Sequence, residues 1–547
     1  MVSSDQVVNE LTVVSDTHPS SDAAEATAPG RSADPFLSTP LPPLRSTRGA
    51  RGSSKRRIPK DRQPERRAIV HLSAEYHGYA RTGGLAEAVA GLANSQARAG
   101  ERVYCFVPLY ATVREVVARL QLLAPPQTIT MGPVKERVRF YRDASRGGGP
   151  LVIFVDAPGC FDRPGLYGDL RGDYPDNHLR FALFARAALQ GIAKLVQGPL
   201  LVHAHDWHAA LALVYMRTHP DMVTVFDGTP TVLSVHNAGY QGHFGHDALG
   251  DLALPPDLWH MDRLEWYGRL NLLKGGLNFC DAAVTVSPAH AVELRTPEGG
   301  FGLHDTFRRL GERLIGICNG IELHHWDPAS DDQIIANYTA DDLSGRVACK
   351  EALQRAFALP RRAEVPVIGM SSRLAAQKGF DLVLRSERLR AGDIQLIVIG
   401  EGEARIRDAV AALAASAPTH IACSLTFTDR LEHQLMAGAD MVLMPSLYEP
   451  CGLTQMHALR YGAPVIGRRV GGIGDTVVDG DTGFLFDRFD VASMDAAIDR
   501  ALHCFRDRAS WEAMMRRGMA RDFGWDHSMT GYAAVYHVAE ERALAAR

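Results

Sequence analysis

Apolar runs of strand length alternate with stretches whose apolar residues recur at helical spacing. The first runs are Ala68–Glu75, Val103–Pro108 and Leu151–Val155. Leu200–His208, Thr231–Asn237, Asp281–Pro288 and Leu314–Gly320 follow. Between the first two, Leu85, Val89, Leu92 and Ala93 mark one face of a helix. After Trp326-Asp327-Pro328 the alternation restarts with Val365–Met370, Ile394–Gly400, Ser424–Phe427, Ala439–Met444 and Ala463–Gly467. Strand–helix alternation of this kind predicts parallel, doubly wound sheets. The expected fold class is α/β, with two Rossmann-like domains joined near residue 330 and facing each other across a cleft, a favoured ligand site.

Composition narrows the classes. A chain of 547 residues holds two or three domains. Its 46% hydrophobic and 22% charged content is ordinary for a globular protein. A net charge of −4 gives no reason to expect nucleic acid or an anionic membrane as partner. The 8 cysteines form no Cys-x-x-Cys pair, which points to reduced thiols rather than disulfides or zinc. No run is long enough to cross a bilayer and the start lacks a hydrophobic signal core, so a cytoplasmic protein is expected. Residues 1–66 are expected to form a disordered extension, rich in Ser, Thr, Pro, Asp and Ala and ending in a basic run from Arg45 to Arg67.

The richest chemistry lies in Pro445–Gln455, a strand-to-helix loop at the carboxyl end of a parallel strand, where open α/β sheets bind ligands. Glu449 supplies a carboxylate. The amides of Gly452, Leu453 and Thr454 fall at the start of the next helix and suit a phosphate. A solvated loop would carry the same residues, so this stretch does not decide alone. Arg81 with Gly83 and Gly84, between the first strand and its helix, offers a charge and amides for a phosphate, or an ordinary glycine turn. His203 and His205 share one strand face; with Asp206 they suggest a metal site or, the preferred reading, the lining of a polar pocket. No metal is assigned. Cys451 has no base beside it and reads as a packing residue.

Taken in order, these motifs resemble those of the bacterial glycogen synthases and plant starch synthases, from about Ile69 to about Val538. The markers are Thr82-Gly83-Gly84-Leu85, His205-Asp206-Trp207, His236-Asn237 with Tyr240-Gln241-Gly242, and Pro297-Glu298 with Gly302-Leu303. They continue with Asn319-Gly320-Ile321, Ser372-Arg373-Leu374 with Gln377-Lys378-Gly379, and Glu449 through Gln455. The resemblance implies the two-domain GT-B architecture and a retaining glycosyltransferase that moves glucose from ADP-glucose to an α-1,4-glucan, as a monomer or small homo-oligomer. It implies a first domain over 67–328, joined by a returning helix at about 523–547, and a nucleotide-sugar domain over 329–522.

It also implies roles. Arg373 and Lys378 clamp the diphosphate, Glu449 holds the glucosyl hydroxyls, and His236 supports the sugar. Asp206 and Asn319 lie near sugar or acceptor, Asn237 follows His236, and Phe427 stacks on the base. Cys451, Gly452, Leu453 and Thr454 line the substrate. No cofactor is implied, and no Asp-x-Asp motif suggests a metal. Arg81 stands where the family usually has lysine, a planar fork in place of a compact ammonium; this leaves the nucleotide preference open. UDP-glucose as donor, and a silent glucan-binding protein, remain the competing expectations.

Overall fold

A computed structural model of the chain describes residues 66–169 and 171–546. Of the extension expected over residues 1–66, residues 1–65 lie outside the described residues, and Arg66 bonds the Gly100 carbonyl at 3.1 Å. The first large sheet contains Ala68–Leu72 (β1), Arg102–Pro108 (β2), Leu120–Met131 (β3), Val134–Asp143 (β4) and Leu151–Asp156 (β5). It also contains Leu200–His205 (β6), Thr231–Val235 (β7), Ala282–Thr285 (β8) and Leu314–Gly316 (β9), in the order β9-β8-β7-β6-β1-β2-β5-β4-β3. The second comprises Val367–Ser371 (β10), Gln395–Ile399 (β11), Ile421–Ser424 (β12), Met441–Met444 (β13), Val465–Arg468 (β14) and Gly483–Phe486 (β15). Its order is β12-β11-β10-β13-β14-β15, and every neighbour is parallel. The central strands are buried along their length, as sheets covered on both faces require.

Each sheet reverses its direction of winding once. In the first, β1 lies between β2 and β6; in the second, β10 lies between β11 and β13. Loops leaving neighbouring strands at such a switch point diverge to opposite faces and open a crevice at the carboxyl ends. The glycine loop after β1 and Asp206 after β6 flank one crevice. Lys378 after β10 and Glu449 after β13 flank the other.

Two features differ from the sequence expectation. The β3–β4 hairpin runs antiparallel at the sheet edge, with register irregularities around Ala124. Its mixed exposure and Pro125-Pro126 hide it from a search for buried parallel strands. The strand expected over Ser424–Phe427 instead ends at Ser424, whose hydroxyl donates to the Thr426 carbonyl at 2.9 Å and turns the chain. Phe427 is therefore a loop residue.

The helix Trp525–Ala545 lies on the first sheet. Trp525, Tyr532, Val535, Tyr536 and Ala539 share one apolar cluster with Ile69, Leu92, Val232 and Val284. Gly91 makes room for it, since a Cβ there would stand 2.0 Å from Trp525 Nε1. Among the described residues no helix is long and apolar enough to cross a membrane.

Candidate active site

Glu449 is 5% exposed and accepts a hydrogen bond from Lys378 Nζ at 2.5 Å and another from Ser446 Oγ at 3.0 Å, both on Oε2. The backbone fixes this meeting. Gly379 has φ +75°, and a Cβ there would stand 2.0 Å from the Pro445 carbonyl oxygen, so only glycine lets the Lys378 turn rest on the loop after β13. Leu447 N donates to the Gln377 carbonyl at 2.8 Å, and Gln377 Nε2 donates to the Tyr448 carbonyl at 3.1 Å. The carboxylate and the ammonium therefore share one scaffold.

Beyond Glu449 the chain turns at Gly452, φ +72°, into the helix Thr454–Arg460. Among the described residues no protein acceptor pairs with the amides of Gly452, Leu453 or Thr454. Such amides at a helix start attract an anion. Leu453 faces the other lobe, its Cδ1 lying 3.7 Å from where a Gly84 Cβ would be, while the side-chain direction of Gly83 opens into free space. Cys451 is buried, which pushes its thiol well above the usual range, and it serves packing.

In the first lobe the glycine loop hangs from Glu75. This carboxylate accepts from Thr82 N at 2.8 Å, Thr82 Oγ1 at 2.6 Å, Gly83 N at 3.3 Å and Tyr167 Oη at 2.6 Å. The Gly83 amide is thus engaged by the protein, which corrects the expectation that it stands bare. Arg81 pairs with Glu87 at 2.6 Å and, across the lobes, with Asp429 at 3.0 Å; its guanidinium lies 5.6 Å from the centre of the Phe427 ring. Arg373 lies over Tyr240, 5.9 Å from the ring centre, and has no carboxylate partner within salt-bridge distance among the described residues.

Asp206 opens its helix at φ +56°, a conformation unusual for a residue with a side chain. Its Oδ1 accepts from His236 N at 2.7 Å, and burial raises its carboxyl to about 7. Burial lowers His236 to about 3, so its ring is neutral. Asn237 Oδ1 accepts from Gly239 N at 2.9 Å, closing a turn against Tyr448 of the other lobe, whose hydroxyl a Gly239 Cβ would approach to 2.8 Å. Asn319 is buried with its Oδ1 unpartnered. More cross-lobe bonds surround the group: Ser287 Oγ donates to the Pro450 carbonyl at 2.7 Å, and Gly471 N donates to Glu293 Oε1 at 2.7 Å.

Residues 68–309 match the starch synthase catalytic domain, and residues 354–517 match the glycosyl transferases group 1 domain. The chain is 41% identical to a glycogen synthase of Anaeromyxobacter sp. (strain Fw109-5) over 86% of its own length and 98% of the relative's. It is 40% identical to a glycogen synthase of Thioalkalivibrio sulfidiphilus over 86% and 99%. The chain belongs to the glycogen and starch synthase family. Its structure resembles the catalytic domain of starch synthase IV from Arabidopsis thaliana, solved with ADP and acarbose bound. That match has a TM-score of 0.80 at 30% identity, over 87% of this chain and 100% of that one. It is a glucosyltransferase of the GT-B class.

For a glycogen and starch synthase family member, the sequence motifs located the two switch-point loops but missed their supports. Glu75 ends an apolar run and looks like a strand terminus, yet it organises the glycine loop. Asp429, reached by Arg81, reads as an ordinary acid in the first turn of a helix, after its cap Thr428. The histidine pair on β6 is a trio, because His71 on β1 joins it, with ring centres 5.0 Å from His203 and 5.2 Å from His205.

Proposed function

We propose that the chain transfers the glucosyl unit of ADP-glucose to the non-reducing end of an α-1,4-glucan with retention of configuration. The observation that carries this reading is the convergence of Lys378, Glu449 and the unpaired amides of Gly452–Thr454 opposite the Gly83–Gly84 loop. It offers a cation and an anion cradle for a departing diphosphate and a buried carboxylate for the sugar that stays. The glycogen synthase relatives and the ADP and acarbose bound to the Arabidopsis structure support the substrate pair.

In the proposed roles, Arg373 and Lys378 balance the charge that grows on the leaving phosphate, together with the Gly452–Thr454 amides. Glu449 steadies the glucosyl hydroxyls and the oxocarbenium-like carbon. His236 and Asn237, seated by Asp206, face the sugar; Asn319 offers its free Oδ1 to sugar or acceptor. Phe427 takes the base, and Arg81 approaches the donor from the first lobe. The acceptor hydroxyl attacks from the face the diphosphate leaves, giving its proton to a phosphate oxygen, so neither a protein nucleophile nor a cofactor is needed. The first lobe with the C-terminal helix would bind the acceptor and the second lobe the nucleotide sugar. The Arg81–Asp429 bridge belongs to the closed state that gates the reaction.

The reading takes the enzyme as a monomer or small homo-oligomer. All eight cysteines are free, as suits the reducing cytoplasm. Incubation with labelled ADP-glucose or UDP-glucose and glycogen tests the reading. Label should enter polymer faster from ADP-glucose; faster turnover with UDP-glucose replaces the donor, and no incorporation from either rejects the activity.

A further inference from the structure

A single file of hydrogen bonds runs from the candidate site through the core of the first lobe to the C-terminal helix. His236 Nε2 meets His205 Nδ1 at 3.0 Å, and His205 Nε2 meets His71 Nδ1 at 2.9 Å. His71 Nε2 meets Gln96 Oε1 at 2.8 Å, and Gln96 Nε2 donates to Tyr536 Oη at 2.7 Å. Tyr536 Oη meets His203 Nδ1 at 3.0 Å, and His203 Nε2 meets Ser234 Oγ at 2.7 Å. His71, His203, His205 and Gln96 are fully buried.

The file has a direction. Gln96 spends its amide hydrogens on Tyr536, so its oxygen must accept, and His71 must carry its proton on Nε2. The bare Nδ1 of His71 then requires Nε2–H on His205, and the bare Nδ1 of His205 requires Nε2–H on His236. Toward the other end, Tyr536 accepts from Gln96 and donates to His203 Nδ1, which leaves His203 Nε2–H for Ser234. One arrangement satisfies every member with all four rings neutral. It leaves Nδ1 of His236 as a lone-pair nitrogen without a protein partner among the described residues.

The same trio has the spacing of a metal site, since its nitrogens lie within 4.8 Å of one another. All six ring nitrogens of His71, His203 and His205 already have partners, and an ion would break at least two of those bonds. The geometry is that of a polar relay.

We propose that His205, His71, Gln96 and Tyr536 are positioning residues that hold His236 as its Nε2–H tautomer and couple its seat to the C-terminal helix. The backbone of His236 is fixed by Asp206 and its ring by the relay, so the ring turns only if the file breaks. Of these four, Tyr536 lies farthest from His236, and its hydroxyl joins the file to the helix Trp525–Ala545, whose Tyr532 also bonds Ser234 at the far end. The proposal rests on His236 acting at the sugar.

Three measurements on the full chain test it. In long-range 15N–1H spectra of 15N-histidine protein, the His236 signals, assigned by their loss in His236→Gln, should show a protonated Nε2 and a bare Nδ1. A protonated Nδ1 in the wild type overturns the proposal. Tyr536→Phe and His71→Leu should lower kcat about 3- to 30-fold with donor KM within about twofold, and should mix the His236 tautomers. His71→Gln, which can accept from His205 and donate to Gln96, should recover both the rate and the tautomer. If His236→Ala lowers kcat but Tyr536→Phe leaves both readouts unchanged, the relay fails alone. If His236→Ala itself leaves kcat unchanged, the site reading fails. A stoichiometric metal ion in the purified protein, lost in His71→Leu, also overturns the relay.

Discussion

Lys378 Nζ and Glu449 Oε2 lie 2.5 Å apart although 71 residues separate them, because β10 and β13 are neighbours at the switch point of the second sheet. Each partner is mostly shielded, with side-chain exposures of 17% and 6%. The bond aims the carboxylate, and it lies beside the amides expected to receive the diphosphate.

Glu449→Ala and Lys378→Ala should therefore each lower kcat by about 100-fold or more, the scale set by removing one preorganised charge or donor. The double variant should lose far less than the product of the two, since the groups act as a unit. Steady-state rates on ADP-glucose and glycogen, with circular dichroism to confirm folding, decide the matter. Near-wild-type rates in both single variants would remove the site assignment.

Gly379 and Gly480 share φ +75° but not their surroundings. A Cβ at Gly379 would strike the Pro445 carbonyl at 2.0 Å, while at Gly480 nothing lies within 4 Å. Gly480→Ala should cost about 1 kcal/mol, the backbone penalty alone, with activity intact. Gly379→Ala should cost more, about 2–4 kcal/mol, and lower kcat by displacing Lys378. Urea midpoints and rates for the pair separate strain from collision; equal losses would mean the Lys378 turn does not depend on this contact.

These positions show what a sequence can and cannot convey. The fold was legible because buried parallel strands are continuous apolar runs, and because Pro450 and Gly452 mark the loop after β13. The β3–β4 hairpin was not, since an exposed antiparallel edge alternates weakly and carries two prolines. Glu75, Gln96 and Tyr536 were invisible for another reason. Gln96 and Tyr536 are polar residues in ordinary helices whose partners come from segments far away in sequence, and Glu75 stands just beyond β1 and bonds the glycine loop and the distant Tyr167. His203 and His205 announced themselves by their spacing of two, whereas His71 sits in an apolar run where a histidine looks like an isolated core residue. The left-handed backbone of Asp206 has no signature in residue type at all.

Arg81 reaches Asp429 and Phe427 from the opposite lobe. The Arg81 and Asp429 side chains are 29% and 49% exposed, so the bridge itself is worth no more than about 1 kcal/mol. Arg81→Ala should leave the urea midpoint nearly unchanged yet raise the KM for ADP-glucose about tenfold, as expected for one charge-assisted contact to the donor. Arg81→Lys should fall between, keeping the charge but losing the planar fork. Wild-type KM should also rise more steeply with ionic strength than that of Arg81→Ala. An unaltered KM in Arg81→Ala would place the residue in lobe closure without donor contact.

The buried histidines set the acid limit of the fold. Burial lowers His71 to about 4, His236 and His208 to about 3, His243 to about 4, and His203 and His205 well below the ordinary value of 6.5. The unfolded chain therefore takes up protons near pH 6.5 that the folded chain refuses. The stability these rings contribute is complete above that pH and is lost as pH falls through it. Asp206, raised to about 7 by burial, acts in the opposite sense: its contribution is present at low pH and lost as pH rises through 7. Burial lowers His219 and His325 in the same sense and raises Asp173, Asp475 and Asp495 like Asp206; the rings remain the larger group, so urea midpoints should be flat from pH 8 to 7 and fall steeply below about 6. His71→Phe removes one of these protons and should lessen the slope below pH 6 by up to about 1.4 kcal/mol per pH unit. An unchanged slope in that variant would mean that His71 titrates alike in the folded and unfolded chain, which a ring enclosed between His205 and Gln96 should not do.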